Sequence, residues 1–114
     1  IKMMNGADLY SYLQDKQLEL NKALRLAKDR GIDLANAEYA YKKAKAKFIA
    51  SARLEKVAVT LIRDLAQGDE YIAELRLRRD SAKVLYLNAQ EAINVFKLQC
   101  RLVEAQLKRE WQDG

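Results

Sequence analysis

The sequence feature that most constrains the fold is the stretch from Asp69 to Trp111, in which apolar residues recur at alternating spacings of three and four. With Ile72 taken as heptad position a, ten of the twelve a and d sites are apolar or aromatic. These sites, the C-terminal seam, are Ile72, Leu75, Arg79, Ala82, Tyr86, Ala89, Ile93, Phe96, Cys100, Val103, Leu107 and Glu110. Only this spacing keeps one stripe in line on a helix of about 3.6 residues per turn. The pattern predicts one uninterrupted helix that packs against a partner helix.

A second heptad series, the N-terminal seam, precedes it. Its sites are Leu13, Leu20, Ala27, Leu34, Tyr41 and Phe48, flanked by Leu9, Ala23, Leu24, Ala37 and Ala44. Gly31 lies inside this series, and Asp33 could cap a new helix after a stop there. Because the heptad phase continues across Gly31, and a glycine in a helix costs only about 1 kcal/mol, we expect one continuous helix. The small residue would also let a neighbouring helix approach closely.

Between the two seams lies a connector. The heptad pattern fails near Glu55, and the β-branched residues that follow weaken a helix. We expect Thr60 to cap a short helix at about 61–66, Gly68 to end it, and Asp69 to cap the last helix.

Composition supports an all-α fold, since the chain has no proline and only four glycines, and half of its residues are hydrophobic. We predict a long antiparallel helical hairpin of helices at about 8–56, with Asp8 as the N-cap, and 69–111. It would form a single domain over residues 1–114, with residues 1–6 loosely ordered or left over from a tag. In this hairpin Lys47 would lie beside about residue 80.

The last helix carries a second apolar face away from its seam. The candidate dimer face consists of Leu77, Val84, Leu87, Val95, Leu98 and Leu102. The first helix likewise carries Leu18, Leu26, Ile32, Tyr39, Ile49 and Leu54 off its seam. A lone hairpin would leave such faces in water, and apolar patches of that size are rarely left exposed. We therefore expect a homodimer that forms a four-helix, coiled-coil-like bundle, although the sequence does not distinguish a dimer from a higher oligomer.

The net charge of +5 arises in the middle of the chain, where residues 42–83 hold eleven basic and six acidic side chains. The candidate nucleic-acid or anion-binding residues are Lys42, Lys43, Lys45, Lys47, Arg53, Lys56, Arg76, Arg78, Arg79 and Lys83. Phosphate backbones bind such surfaces by counterion release. Tyr39, Tyr41 and Tyr71 could stack on single strands if they are exposed. The alternative is that the lysines only form a solvated helix face.

Several chemistries are excluded. The chain has no histidine, which rules out imidazole metal ligands and Ser-His or Cys-His nucleophiles. Its glycines are isolated, so there is no phosphate-binding loop. Cys100 cannot form an internal disulfide and occupies a seam site, so we interpret it as a core residue. We predict no catalytic residues, cofactor, metal or small-molecule substrate. No membrane segment or secretory signal is evident, so we expect a cytoplasmic, non-enzymatic protein.

Several segments resemble a group of small helical proteins encoded by phages and prophages of Gram-positive bacteria. They are Val59-Thr60-Leu61-Ile62-Arg63-Asp64-Leu65-Ala66, Gly68-Asp69, Ala73-Glu74-Leu75-Arg76, Arg79-Asp80, Tyr86, Glu91-Ala92-Ile93-Asn94, Arg109-Glu110-Trp111 and, upstream, Ala27-Lys28-Asp29-Arg30-Gly31 with Ala35 and Glu38. The resemblance covers most of the chain after residue 25. Members of the group commonly have a proline where this chain has Ala58, which implies a less sharp break here. The resemblance implies a setting among replication and recombination genes in a bacterial host cell, and it implies no catalytic residues.

Two functional hypotheses follow. The first is a homodimeric helical adaptor or regulator, of phage or prophage origin, that binds another phage or host protein. The second is a nucleic-acid-binding accessory factor in phage replication or recombination, which binds DNA through the basic end of the hairpin.

Overall fold

The computed structural model describes residues 5–113, which form three α-helices: α1 (Gly6–Leu54), α2 (Val59–Gly68) and α3 (Glu70–Asp113). No strand occurs within these residues, so the all-α prediction is confirmed. Of the segment expected to have little order, residues 1–4 lie outside the described range. Its last two residues, Asn5 and Gly6, are the N-cap and the first residue of α1.

Side chains cap the N-termini of α1 and α3. The Asn5 Oδ1 atom accepts a hydrogen bond of 2.8 Å from the backbone N–H of Asp8, so Asn5 takes the capping role that we had predicted for Asp8. The Asp69 Oδ1 atom accepts one of 3.0 Å from the backbone N–H of Ile72, which confirms Asp69 as the cap of α3. Each cap satisfies a backbone donor that has no partner inside its helix.

The end of α1 is a Schellman motif centred on Lys56. The Lys56 N–H donates to the Arg53 carbonyl and the Val57 N–H donates to the Ala52 carbonyl, each at 3.0 Å. Lys56 has a positive φ of 61°, a left-handed conformation that glycine adopts more easily. This motif stops α1 at Leu54, two residues before the predicted end.

The connector helix α2 is longer than predicted, with ten residues where we expected about 61–66. Thr60 lies inside the helix and is not its cap, because the Ala58 carbonyl already accepts from the N–H groups of Leu61 and Ile62. Gly68 is the last helical residue, and no glycine in the described residues has a positive φ. Weak β-branched propensity is worth only tenths of a kcal/mol, so the burial of Ile62 and Ala66 decides that this segment is helical.

Both seams behave as predicted. Every site of the C-terminal seam from Ile72 to Glu110 is buried or half-buried, and so is every site of the N-terminal seam from Leu13 to Phe48. Of the flanking residues, Leu24 is exposed. α1 runs through Gly31 without a break, and a Cβ atom at Gly31 would lie 3.2 Å from the Tyr86 Cε1 atom. The glycine therefore allows the close approach of α3 that its position suggested.

The chain divides into two compact units. The single domain over residues 1–114 stays a prediction. Unit 1 consists of Ile1–Lys28 and Leu87–Gly114. Its core contains Leu9 and Leu13 from α1 and Cys100 and Val103 from α3, with Tyr12 and Leu107 packed against them. The core position expected for Cys100 is confirmed, and its thiol is free.

Unit 2 consists of Asp29–Tyr86 and contains all of α2. Its core joins the three helices through Tyr41, Ala66, Ile72 and Leu75, with Ala40, Ala44 and Phe48 packed against them. Ile72 is the best-buried large side chain, with 1% of its surface exposed. The helix α2 thus covers a core that α1 and α3 alone would leave open.

The candidate dimer face is exposed in the single chain. Leu77 and Val84 in unit 2, and Leu87, Val95, Leu98 and Leu102 in unit 1, are each 45–66% exposed. Within residues 5–113, no helix is sufficiently long and apolar to cross a membrane.

Candidate nucleic-acid interface

All ten predicted basic residues lie in unit 2, but they do not form one uniform surface. Eight are exposed: Lys42, Lys43, Lys45, Lys47, Arg53, Lys56, Arg78 and Lys83. Arg76 and Arg79 are half-buried. The set divides into three groups: arginines of α3 that contact other groups of unit 2, side chains of α1 that line open grooves, and lysines that do neither.

The arginines of α3 are engaged within the chain. The Arg79 guanidinium lies 4.4 Å from the centroid of the Tyr41 ring, and it donates two hydrogen bonds, of 2.9 and 3.0 Å, to the Asp80 Oδ1 atom. Arg76 lies 5.9 Å from the same ring and donates to the Gln67 carbonyl at 3.4 Å. These contacts hold both guanidinium groups against the core. Arg76 and Arg79 are therefore no longer candidates for binding a phosphate.

Arg78 forms a different contact. Its Nη2 atom lies 2.8 Å from the Glu74 Oε1 atom, and both side chains are exposed. An exposed pair four residues apart on a helix contributes at most about 0.5 kcal/mol. The carboxylate nevertheless compensates the charge of Arg78.

Tyr41 is the residue on which these charges converge. Interaction with the Arg76 guanidinium lowers the pKa of the Tyr41 phenol, burial opposes that effect, and the positive charges of Lys45, Arg76 and Arg79 lower the pKa further. Tyr41 is buried, so its ring cannot stack on a nucleic-acid base. Stacking was predicted only for exposed rings, and the core position expected of a seam residue is confirmed for Tyr41. Its seam position decides this, because the ring fills the interface between α1 and α3.

The other two tyrosines are available. Tyr39 is 67% exposed and Tyr71 is 63% exposed. Together with Ala40, Lys43, Ala44 and Lys47 they line an open groove of about 320 Å³, here called the tyrosine groove. The Lys43 Nζ atom lies 5.8 Å from the centroid of the Tyr39 ring. No carboxylate lines this groove.

A second groove, here called the α1–α2 groove, has a volume of about 440 Å³ and brings together Lys45 and Arg53 of α1 with Arg63 of α2. Its other lining residues are Ile49, Val59, Thr60, Ile62 and Ala66. A small cavity of about 50 Å³ next to Tyr41 is also lined by Lys45, Arg63 and Arg76. Arg63 was absent from the predicted set. No local pattern indicated its role, because only the packing of α2 against α1 brings Arg63 beside Lys45.

The helices meet in a register different from the one predicted. Lys47 shares its groove with Tyr71, whereas a simple hairpin placed it beside about residue 80. The reason is α2: Ile49 and Arg53 in the last turns of α1 face α2, so α3 begins alongside an earlier part of α1. The lysines near Tyr71 therefore lie close to the start of α3.

The remaining predicted basic residues do not belong to either groove. Lys42, Lys56 and Lys83 are exposed and line neither groove. Across residues 5–113, the exposed lysines of α1 between 42 and 47 form no ion pair. The basic side chains that line a groove without an ion pair are therefore Lys43, Lys45, Lys47 and Arg53 of α1 and Arg63 of α2.

No cluster of potential metal ligands occurs among the described residues. Comparisons with known protein families, with curated proteins and with solved structures find no match to this chain. Its function must be argued from its own side chains.

Proposed function

We propose that this chain is a non-enzymatic helical interaction protein that works as a homodimer. In this proposal α1 and α3 form an antiparallel hairpin, and two hairpins associate in a four-helix, coiled-coil-like bundle. The observation that carries the proposal is the exposure of Leu77, Val84, Leu87, Val95, Leu98 and Leu102 on α3. A helix with apolar residues on two sides is typical of the interior of a bundle.

The energetics favour covering this face. Burying one leucine or valine side chain completely stabilises a complex by roughly 1.5–3 kcal/mol. Several such side chains in one patch can offset the cost of association, which is about 4–15 kcal/mol.

The proposal is tested by the mass of the protein in solution. Light scattering at micromolar concentration should give twice the chain mass of 13.1 kDa. The double variant Leu98→Lys/Leu102→Lys should give the monomer mass, because charged side chains cannot be buried unpaired in the interface. Both positions are exposed in the single chain, so the variant should keep its helix content in circular dichroism.

A matched control is Glu104→Lys. Glu104 is an exposed residue of α3, and it lies about 140° around the helix from the midpoint of Leu98 and Leu102. This variant should remain dimeric. A monomeric wild-type protein, or an equal loss of dimer in both variants, would contradict the proposal.

A second candidate function is favoured by a specific observation, the two grooves of unit 2 lined by lysine and arginine without any carboxylate. We propose on this basis a nucleic-acid-binding accessory factor, with Lys43, Lys45, Lys47, Arg53 and Arg63 as its phosphate contacts. Such binding weakens steeply as salt is raised, because counterions are released on complex formation.

The test of this second candidate is a salt titration of binding to labelled DNA. Reversing the charge at Lys43, Lys47 and Arg53 should abolish binding near 50 mM salt, while the same change at Arg78, which is paired with Glu74, should have a small effect. Absence of binding by the wild-type protein at that salt concentration would exclude this function. The resemblance to phage and prophage proteins supports a setting in the cytoplasm of a bacterial host, where either function would be exercised.

A further inference from the structure

We propose that the tyrosine groove of unit 2 is a site for single-stranded nucleic acid, in which bases stack on Tyr39 and Tyr71 while Lys43 and Lys47 contact the phosphates. The inference rests on the second candidate function and narrows it to one groove and one form of nucleic acid. It assigns no role to Tyr41, which is buried.

The first support is the exposure of the two aromatic rings. Large aromatic side chains usually bury most of their surface, yet Tyr39 and Tyr71 are each more than 60% exposed and line one open groove of about 320 Å³. Rings at the wall of a groove offer their faces to another planar group. Stacking of this kind tolerates any base, because every base has a π-face.

The second support is the charge along the same side of α1. Tyr39, Lys43 and Lys47 follow one another at intervals of four residues, which is about 6 Å of helix rise per step. They therefore form a row in which an aromatic ring is followed by two cations. Lys43 and Lys47 have no ion-pair partner within residues 5–113. The Lys43 Nζ atom lies 5.8 Å from the centroid of the Tyr39 ring, a contact worth only about 0.5–1 kcal/mol at an exposed site, so a phosphate and a base can replace it.

The groove also favours single strands over duplex. In a duplex the bases are stacked on each other and turned inward, so exposed tyrosine rings find no base face to contact. A negatively charged protein helix would be attracted by Lys43 and Lys47 but would not need two exposed rings in an open groove. The combination of rings and cations with no lining carboxylate points to a strand with free bases.

The experiment measures the affinity of the full chain for a labelled oligothymidylate and for a duplex of equal length, each spanning about 16 nucleotides. Tyr39→Ala and Tyr71→Ala should each weaken single-strand binding by roughly 5- to 150-fold, as expected when one stacked base is lost. Neither change should alter duplex binding by more than about threefold. Both tyrosines are exposed, so the helix content of the variants should match that of the wild type.

The matched control is Tyr10→Ala, which removes an exposed tyrosine of unit 1. For charge, Lys43→Gln/Lys47→Gln is compared with Lys22→Gln/Lys97→Gln, a pair of exposed lysines in unit 1. The salt slope is the slope of the logarithm of the binding constant against the logarithm of the salt concentration. The first pair should reduce its magnitude for the single strand by about 0.7 for each phosphate contact that is lost. The second pair should leave the slope unchanged.

The possible results distinguish this inference from the nucleic-acid-binding function on which it rests. If the wild type binds both probes equally, or if Tyr39→Ala and Tyr71→Ala bind the single strand as the wild type does, the inference is wrong while nucleic-acid binding stands. An equal loss in Tyr10→Ala would also overturn it, because the effect would not belong to the groove. If the wild type binds neither probe, both proposals fail.

Discussion

Units 1 and 2 are built on the same two heptad seams but hold them together in different ways. The core of unit 1 is formed by α1 and α3 alone, with aliphatic side chains, Cys100 and the half-buried Tyr12, and the Lys16 Nζ atom lies 5.1 Å from the centroid of the Tyr12 ring. The core of unit 2 adds the helix α2 and places Tyr41 against two guanidinium groups. Heptad spacing thus decides which faces meet, whereas the seam residues and the extra helix decide how completely the core is covered and where charge gathers.

The largest expected effect tests how completely each core is covered. Ile72→Ala in unit 2 should lower the free energy of unfolding by about 3–5 kcal/mol, since a side chain that is 1% exposed leaves a closed cavity. Leu13→Ala in unit 1 should cost about 2–3 kcal/mol, because its site is more open and α2 does not cover it. Urea titrations at one fixed protein concentration give both values.

The control for these substitutions is Leu61→Ala, on the exposed side of α2. It should cost less than about 0.5 kcal/mol. A larger loss of unfolding free energy for Leu13→Ala than for Ile72→Ala would contradict the conclusion that the core of unit 2 is the more completely covered.

The next effect concerns the caps. Asp69→Ala should cost about 1 kcal/mol, since it removes the hydrogen bond to the Ile72 N–H and the favourable charge at the start of α3. Asp69→Asn keeps the hydrogen bond and should cost a few tenths of a kcal/mol. Asn5→Ala in unit 1 should cost less than Asp69→Ala, because the hydrogen bond to Asn5 is exposed whereas the one to Asp69 is partly buried. Equal losses at the two caps would show that their surroundings do not matter.

The glycines give a smaller effect whose sign depends on the neighbours. Gly68→Ala should stabilise the protein by about 0.4–1 kcal/mol, since nothing lies within 4 Å of the added Cβ atom. Gly31→Ala gains similar helix propensity but places its Cβ atom 3.2 Å from Tyr86, so the net change should be below about 0.5 kcal/mol. Gly31→Leu should destabilise by about 1–3 kcal/mol. Thermal unfolding measures all three, and a clear gain from Gly31→Leu would contradict the close packing of α1 and α3.

The smallest effect is a pH dependence that arises at Tyr41 of unit 2. Because the folded state lowers the pKa of Tyr41, the unfolded chain holds this proton to higher pH, and the stability that Tyr41 contributes should rise as the pH approaches about 10, the ordinary pKa of a tyrosine. The rise should be missing in Tyr41→Phe and weakened in Arg76→Gln, which removes the main cause of the shift. Urea unfolding at several pH values tests it. Identical pH profiles for the wild type and Tyr41→Phe would show that Tyr41 is not stabilised as an anion.

Much of the packing could be predicted from the sequence because it follows from the spacing of the apolar residues. The seams, the continuity of α1 across Gly31 and the cap at Asp69 depend on spacing and local chemistry, which a sequence displays directly. The exposure of the second apolar face of α3 was expected for the same reason. Each of these features is set by residues within one or two turns of each other or by one helical repeat.

The predictions that the structure corrects concern features that depend on contacts between helices. The length of α2 was underestimated, because the burial of Ile62 outweighs weak helix propensity. Because α2 packs against α1, Lys47 lies near Tyr71 and not beside about residue 80 as predicted. The same packing brings Arg63 beside Lys45. Tertiary packing decides such features, and no local pattern displays it.

The proposed assembly is tested most directly by the concentration dependence of thermal unfolding. For a homodimer, mass action requires the midpoint temperature to rise as the chain concentration is increased. We expect that rise for the wild-type protein and for Glu104→Lys, and we expect it to disappear in Leu98→Lys/Leu102→Lys. A wild-type midpoint that stays constant over a hundredfold range of concentration would mean that the exposed face of α3 is not covered by a second copy of the chain.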